Sequence, residues 1–206
     1  MIIDTPHRTT AKVTNLKNAG VKTIIRYYNH QNSSALPNKC LTAGEAQAIH
    51  GAGMTIAVTF QQRQNQSADF NKTKGRAAGG RALDLAINTI NQPEDSAIYF
   101  SVDRDFISVA DLNKVDKFFE GVNETFADAG ASHVIGAYGS GKVLDRLRTA
   151  GLAKFFWLAQ STGWSGFQAF KNSGRWHLLQ GPETTVQTID CDTNQSNPAK
   201  PDFGAF

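Results

Sequence analysis

Two carboxylates separated by one residue follow a short apolar stretch in the middle of the chain. Residues 97–102 predict a strand that is buried on both faces, and Asp103 and Asp105 come directly after it. Residues two apart in an extended chain point to the same side, so both side chains face one cavity if the strand continues past Val102. Such a pair indicates acid–base chemistry or a site for a hard cation. The alternative is a solvated loop in which Asp105 caps a turn and Asp103 is structural.

The length and composition of the chain limit the folds that can position these acids. The chain has 206 residues, of which 40% are hydrophobic. This is enough for one substantial core, although it is short for an eight-fold barrel of typical size. We therefore expect a single domain over residues 1–206. The formal charge of +3 is compatible with an anionic polymer such as a cell wall, and the absence of a basic cluster argues against a nucleic-acid partner.

The first residues and the cysteines bear on the compartment. Residues 1–6 contain neither a basic segment nor an apolar segment of a signal peptide, and no later run is long enough to span a bilayer. We expect a protein made in the cytoplasm that acts in the periplasm or at a cell wall after non-classical export, through a secretion or lysis machinery. Cys40 and Cys191 form neither a zinc motif nor a disulfide framework, and we interpret them as small buried residues.

Strands alternate with helices along most of the chain. The predicted strands comprise residues 2–4, 23–28, 54–60, 97–102, 133–138, 155–160, 176–180 and 186–190. Alternation through the first six units predicts parallel strands joined by right-handed crossovers, in either a closed barrel or an open doubly wound sheet. The last two strands follow each other without room for a full helix, so the predicted fold class is α/β, a single (β/α)8 TIM-like barrel that is irregular in its last two units. No glycine-rich phosphate turn or P-loop is present, and no cofactor is predicted.

Nearly every predicted strand ends in a polar or acidic side chain. These residues are Asp4, Tyr28, Gln61, Asp103, Asp105, Tyr138, Gln160, Gln180, Asp190 and Asp192. In a barrel they converge on one face, where tyrosines, Trp157 and Trp164 add aromatic walls to a cleft with several carboxylates. This composition is typical of a sugar-binding site. A cap or loop hydrogen bond accounts for any one of them, most readily for Gln180 and Asp192, but poorly for all ten.

Six of these stretches occur in an order that resembles a known family. They read Ile-Ile-Asp-Thr-Pro, Ile-Arg-Tyr-Tyr, Tyr-Phe-Ser-Val-Asp-Arg-Asp, Ile-Gly-Ala-Tyr-Gly-Ser, Phe-Trp-Leu-Ala-Gln-Ser-Thr-Gly-Trp and Ile-Asp-Cys-Asp, in barrel order from residue 2 to residue 192. The ordered set resembles the bacterial glycoside-hydrolase-like barrel domains of uncharacterised function, which are related to the family 25 lysozymes. In those lysozymes an acid closes the first strand, an Asp-x-Glu closes the fourth with the Glu as proton donor, and another Asp closes the last.

The resemblance implies roles for four acids. Asp4 matches the first acid, Asp103 the aspartate of the pair, Asp105 the proton donor and Asp190 the late acid. Asp105 stands where the lysozymes carry Glu. A carboxyl group one methylene shorter lies further from the glycosidic oxygen, and a misplacement of about 1 Å can cost roughly a hundredfold in rate.

The predicted function is that of a glycoside hydrolase acting on peptidoglycan or a related N-acetylated glycan. Asp105 would be the general acid and Asp103 would stabilise the oxocarbenium-like transition state, with Asp4 and Asp190 beside them. The expected substrate contacts are Tyr28, Gln61, Tyr138, Gln160, Trp164 and Asp192.

Two other functions remain open at this point. One is a barrel that binds cell-wall glycan without efficient hydrolysis, which the Asp at position 105 favours. The other is a hydrolase that uses the same acids on a divalent cation. The near absence of histidine at strand ends argues against zinc, so that only magnesium or calcium would fit, and no metal is predicted.

Overall fold

The computed structural model describes residues 1–206 and contains a closed eight-stranded barrel. Its strands are β1 (Ile2–Asp4), β2 (Thr23–Tyr28), β3 (Thr55–Phe60), β4 (Ala97–Ser101), β5 (Val134–Gly139), β6 (Phe155–Leu158), β7 (Leu178–Val186) and β8 (Ile189–Ser196). Strands β1 to β7 pair with their sequence neighbours in parallel. Strand β8 lies antiparallel between β7 and β1 and closes the barrel.

Helices connect the parallel strands and become short towards the end of the chain. They are α1 (Val13–Asn18), α2 (Ala43–Gly51), α3 (Lys72–Asp84), α4 (Val109–Asp128), α5 (Gly141–Thr149) and α6 (Phe167–Asn172), and α3 continues as a π-helical segment over Leu85–Ile90. No helix lies between β7 and β8. No helix is long and apolar enough to cross a membrane.

The structure confirms a closed α/β barrel with irregular last units and corrects its last strand. The expected strand at 186–190 is instead the end of β7, a two-residue turn and the beginning of β8, so Asp190 begins a strand rather than ending one. Two residues can join only antiparallel strands, because a parallel connection needs a crossover of a dozen residues or more. The (β/α)8 arrangement therefore holds for the first seven strands and not for β8.

Alternation of side chains along the strands divides the core into two parts. Outward-facing residues pack against the helices. For example, the ring centre of Phe100 on β4 lies 6.1–6.3 Å from the ring centres of Phe118, Phe119 and Phe126 on α4. Inward-facing residues form a smaller cluster inside the barrel, consisting of Ile25, Ala57, Ala97, Tyr99, Trp157 and Leu178. Nearer the carboxyl end, the inner layer becomes polar, where the hydroxyl groups of Thr59 and Ser101 lie 3.1 Å apart.

A buried ion pair fixes the loops that follow β1 and β2. Arg26 Nε and Nη2 donate to the two carboxylate oxygens of Glu45 at 3.0 and 3.1 Å, and both side chains are fully buried. Glu45 Oε1 also accepts from the backbone N–H of Thr9 at 2.7 Å, while Arg26 Nη1 donates to the carbonyl of Thr5 at 2.5 Å. The pair therefore connects the β1–α1 loop to β2 and α2, directly beneath the carboxyl end of the barrel.

We expect Glu45→Gln to lower the free energy of unfolding by about 3–5 kcal/mol, because it leaves the Arg26 charge buried without a counter-ion. Urea denaturation measures the change. The control is Glu120→Gln, which removes the partner of the exposed Lys117 and should cost at most about 0.5 kcal/mol. A loss below about 1 kcal/mol in Glu45→Gln would contradict the role given to this pair.

The turn that joins β7 to β8 carries backbone strain. Gln187 has a φ of 52° and Thr188 a φ of 69°, both in the left-handed region. Two-residue hairpin turns of this kind favour Asn-Gly, and a β-branched residue is the least suited to a positive φ. The turn is therefore held in place by the strands that it joins.

We expect Thr188→Gly to raise the free energy of unfolding by about 1 kcal/mol, since glycine adopts this conformation without a steric penalty. Thermal and urea unfolding give the measurement. Thr184→Gly, at an exposed position within β7, is the matched control and should be destabilising by about 0.5–1 kcal/mol. Equal destabilisation in both variants would show that the turn is not strained.

Candidate active site

A pocket of about 260 Å³, here called the central pocket, opens at the carboxyl end of the barrel. Its lining includes six of the predicted site residues, namely Gln61, Asp103, Tyr138, Gln160, Trp164 and Asp192. Tyr27, Trp157 and Gln180 line it as well. The parallel strands bring these residues together because all of their carboxyl ends lie at this end of the barrel.

A larger pocket of about 610 Å³, here called the flanking pocket, lies beside the β7–β8 hairpin. Its acidic residues are Asp4, Glu183, Asp190 and Asp192. It shares Tyr27 and Asp192 with the central pocket. The two pockets together therefore form one cleft that is aromatic on one side and acidic on the other.

Asp4 is the most deeply placed acid of this cleft and is only 3% exposed. Its Oδ2 accepts from Asn194 Nδ2 at 2.7 Å and from Gln180 Nε2 at 3.3 Å, while Oδ1 has contacts only at 3.4 Å, with Tyr27 Oη and Gln180 Nε2. Burial raises the pKa of Asp4 to about 7, with the Asn194 hydrogen bond opposing this effect and the charge of Asp192 adding to it. Asp4 therefore keeps its proton over part of the neutral range.

Gln180 connects Asp4 to the rest of the site. Its Nε2 also donates to Asp192 Oδ2 at 2.9 Å, and its Oε1 accepts from Tyr138 Oη at 2.9 Å and from the backbone N–H of Gln160 at 3.3 Å. Burial raises the pKa of Asp192 to about 6, and the charge of Glu183 adds to this shift. One neutral amide thus holds two carboxyl groups and a phenol in fixed positions.

Asp103 lies on the other side of the central pocket in a different environment. Its Oδ2 accepts from Gln61 Nε2 at 3.0 Å, and its backbone N–H donates to the carbonyl of Gln64 at 2.8 Å. Burial raises the pKa of Asp103 above its ordinary value, and the Lys39 ammonium and the Gln61 hydrogen bond offset part of this rise. Of Asp4, Asp103 and Asp192, only Asp103 has a neighbouring cation that favours its charged form.

Lys39 was not predicted from the sequence. Its Nζ donates to Gln61 Oε1 at 2.7 Å and lies 4.6 Å from the ring centre of Tyr27. Burial lowers the pKa of Lys39 to about 8, and the neighbouring Asp103 charge opposes this shift. Lys39 lies in a polar loop without periodicity, so no sequence signal pointed to it.

Three predicted residues lie elsewhere than expected. Asp105 lines neither pocket, since both of its carboxylate oxygens accept from the Ser165 N–H at 3.0–3.1 Å and Oδ2 also accepts from Ser165 Oγ at 2.9 Å. Strand β4 ends at Ser101, so the extended conformation that would align Asp105 with Asp103 does not persist.

The positions of the other two displaced residues, Tyr28 and Asp190, follow from the alternation of side chains along β2 and from the direction of β8. Tyr28 points outward, is fully buried and donates to Gln92 Oε1 at 2.9 Å, and its neighbour Tyr27 lines the cleft instead. Asp190 is exposed at the beginning of β8, where Thr185 Oγ1 donates to it at 2.8 Å, and it lines only the flanking pocket.

The polar side-chain groups of the cleft are carboxyl groups, amides and phenols. No group of three or more His, Cys, Asp or Glu side chains is arranged to hold a metal ion. The arrangement can donate and accept protons and can stack on an apolar ring face, which are the two requirements of chemistry on a sugar.

The fold and the cleft define a barrel protein whose acidic and aromatic site lies at the carboxyl end of its parallel strands. The family model described as "Rv2525c-like, glycoside hydrolase-like domain" matches residues 14–198, and the chain belongs to this family.

Curated relatives and a solved structure are also similar to this chain. Two Bacillus subtilis (strain 168) proteins, the uncharacterized proteins YbfG and FadG, are 30% identical over 186 residues and 29% identical over 180 residues. Each alignment covers 86% of this chain but only 25% of YbfG and 31% of FadG, so the chain spans about a quarter to a third of the length of the curated relatives it matches. The Mycobacterium tuberculosis protein Rv2525c, solved in complex with L-tartrate, superposes with a TM-score of 0.83 at 21% identity over 99% of this chain and 97% of that chain. This likeness shows a shared fold.

The raised pKa of Asp4 predicts a pH-dependent stability. The ordinary pKa is 3.8 and the folded-state pKa is about 7. Between these values the folded protein holds a proton that the unfolded chain has lost, so the free energy of unfolding falls as the pH rises through this interval. Asp4→Asn removes this titrating group. We expect the substitution to change the free energy of unfolding in the stabilising direction by about 2–4 kcal/mol more near pH 8 than near pH 4.

Urea unfolding at the two pH values measures this difference. Asp128→Asn changes an exposed carboxylate and should shift the free energy of unfolding by no more than about 0.5 kcal/mol at either pH. An Asp4→Asn effect that is the same near pH 4 and near pH 8 would show that Asp4 titrates normally.

Proposed function

We propose that this chain is a glycoside hydrolase that acts on bacterial peptidoglycan or a related N-acetylated glycan, with lysozyme-like activity. The observation that supports this most is the buried Asp4 carboxyl, which keeps its proton near neutral pH at the edge of a cleft that also contains Asp103. A glycosidase needs two carboxyl groups of opposite protonation state beside the scissile bond. Membership of a glycoside-hydrolase-like family supports the same reaction class.

We assign the proton-donor role to Asp4 rather than to Asp105. Ser165 engages both carboxylate oxygens of Asp105, whereas Asp4 Oδ1 has only long contacts of 3.4 Å and can carry a transferable proton. No cation hydrogen-bonds to Asp4, so burial decides its protonation.

Asp103 has the complementary role. Its negative charge would stabilise the positive charge that develops at the anomeric carbon, while Asp4 transfers its proton to the departing glycosidic oxygen and the carbon–oxygen bond breaks. A water molecule then completes hydrolysis and returns a proton to the site.

The walls of the cleft have the composition that a sugar requires. Tyr138 and Trp157 pack edge to face with ring centres 4.7 Å apart, and Trp164 lines the same pocket. Aromatic faces stack on the apolar side of a pyranose ring, and the Gln160 side chain supplies an amide for its hydroxyl and acetamido groups.

A second candidate is a barrel that binds cell-wall glycan without hydrolysing it. One observation favours it: the residue at the position of the lysozyme proton donor, Asp105, is engaged with Ser165. Binding would then depend on the aromatic walls, and truncation of Trp164 or Tyr138 to alanine would weaken glycan retention.

The proposed substrate places the action outside the cytoplasm. Peptidoglycan lies beyond the inner membrane, and Rv2525c, which shares the fold, is described as Tat-secreted. We propose that this chain acts in the periplasm or at the cell wall and reaches it through a secretion or lysis machinery.

Release of soluble sugar products from purified peptidoglycan tests the assignment. We expect Asp4→Asn and Asp103→Asn each to lower turnover by about 10²–10⁴-fold, because each removes a charge or proton used in the transition state. Asp105→Asn should lower it by less than about tenfold, since its effect is confined to the Ser165 contact. Asp128→Asn is the control for a change of charge, and co-sedimentation with peptidoglycan shows whether binding survives.

The outcomes separate the candidates. Undiminished turnover in Asp4→Asn, or a loss in Asp105→Asn as large as that in Asp4→Asn, would overturn the donor assignment. Saturable binding with no turnover in the wild type would favour the binding barrel, and loss of turnover on addition of a chelator would favour metal chemistry.

A further inference from the structure

Lys39 is joined to Asp103 by a chain of two hydrogen bonds. Its Nζ donates to Gln61 Oε1 at 2.7 Å, and Gln61 Nε2 donates to Asp103 Oδ2 at 3.0 Å. A lysine ammonium has only donors, so it requires the oxygen of the Gln61 amide to face it. The NH₂ group of Gln61 must then face Asp103.

The backbone holds Lys39 in this position. The next residue, Cys40, forms a bridge with Tyr27 of β2, and the N–H of Leu41 donates to the Tyr27 carbonyl at 2.8 Å. The Lys39 side chain is half-buried and its Nζ lies over the Tyr27 ring. Lys39 therefore lies behind Gln61 and Tyr27, which line the cleft, and differs from a freely moving surface lysine.

The two sides of the cleft differ because of this residue. Asp4 and Asp192 accept only from neutral groups, namely Asn194, Gln180 and Tyr27. Asp103 accepts from an amide that an ammonium polarises. Asp4 is thus buried among neutral groups, whereas the partly buried Asp103 is linked to a cation.

We propose that Lys39 is a positioning residue of the active site, which acts through Gln61 to orient Asp103 and to keep it negatively charged while Asp4 remains protonated. The catalytic use of the Asp103 charge rests on the proposed function. The charge itself can be measured without any substrate.

Several other charged or titratable groups lie near Lys39 and Asp103 and can affect the titration of Asp103. Arg26 of β2 repels the Lys39 charge, although it is paired with Glu45. The phenols of Tyr27 on β2 and Tyr138 on β5 lie near Asp103; burial raises the pKa of both, and the charge of Asp103 adds to this shift. These phenols stay neutral in the range of interest, so Lys39 is the group whose removal should move Asp103.

The test is a ¹³C NMR titration of the aspartate carboxyl groups in the folded protein, with Asp103 assigned from its missing signal in Asp103→Asn. We expect Lys39→Met to raise the midpoint of Asp103 by about one pH unit or more, a tenfold change in proton affinity, and Lys39→Arg to restore it to within about 0.3 unit. Lys17→Met is the control, because Lys17 Nζ also donates to a neighbouring group, the carbonyl of Gly53, in an exposed position.

The melting temperature of each variant shows whether it is folded. Gln61→Met provides a second variant that keeps Lys39 and cuts the chain of hydrogen bonds, and it should raise the Asp103 midpoint in the same direction. An Asp103 midpoint that stays within about 0.3 unit in both variants, or an equal shift in Lys17→Met, would overturn the proposal. If the wild type hydrolyses peptidoglycan, Lys39→Met should lower kcat with little change in KM.

Discussion

Strand β8 lies antiparallel between β1 and β7, and this closure decides what the cleft contains. The register places Asp192 opposite Asp4 and Asn194 opposite Gln180, so four polar side chains from three strands meet inside the barrel. A hairpin turn replaces the last outer helix, which allows the barrel to close within 206 residues. The burial of Asp4, its hydrogen bonds and its raised pKa all follow from this arrangement.

Much of the fold was predictable from the sequence. Apolar runs separated by amphipathic helical segments identified the strands, and their alternation with helices indicated a parallel barrel. The direction of β8 was not predictable in this way, because a strand without a flanking helix gives no information about its direction. The strained Gln187-Thr188 turn lacks the Asn-Gly signal that marks such hairpins, so the end of β7 was placed too early.

The sequence predicted which residues line the cleft only where the end of a strand determines their position. Asp103 lines the cleft as expected because it lies only two residues after the end of β4. Asp105 lies further along the loop, which turns its side chain to Ser165. Residues 23–28 are buried on both faces, so nothing in the sequence showed that Tyr27 rather than Tyr28 points inward. Lys39 depends on loop conformation, which hydrophobic periodicity does not describe.

The central claim is that two carboxyl groups of one cleft differ in charge near neutral pH because one is buried among neutral donors and the other is linked to an ammonium. The titration midpoint of the Asp4 carboxyl tests this most directly, measured by ¹³C NMR in the folded wild-type protein and assigned with Asp4→Asn. The structure predicts a midpoint of about 7. A midpoint near the ordinary value of 3.8 would mean that Asp4 is ionised throughout the neutral range and would contradict the account.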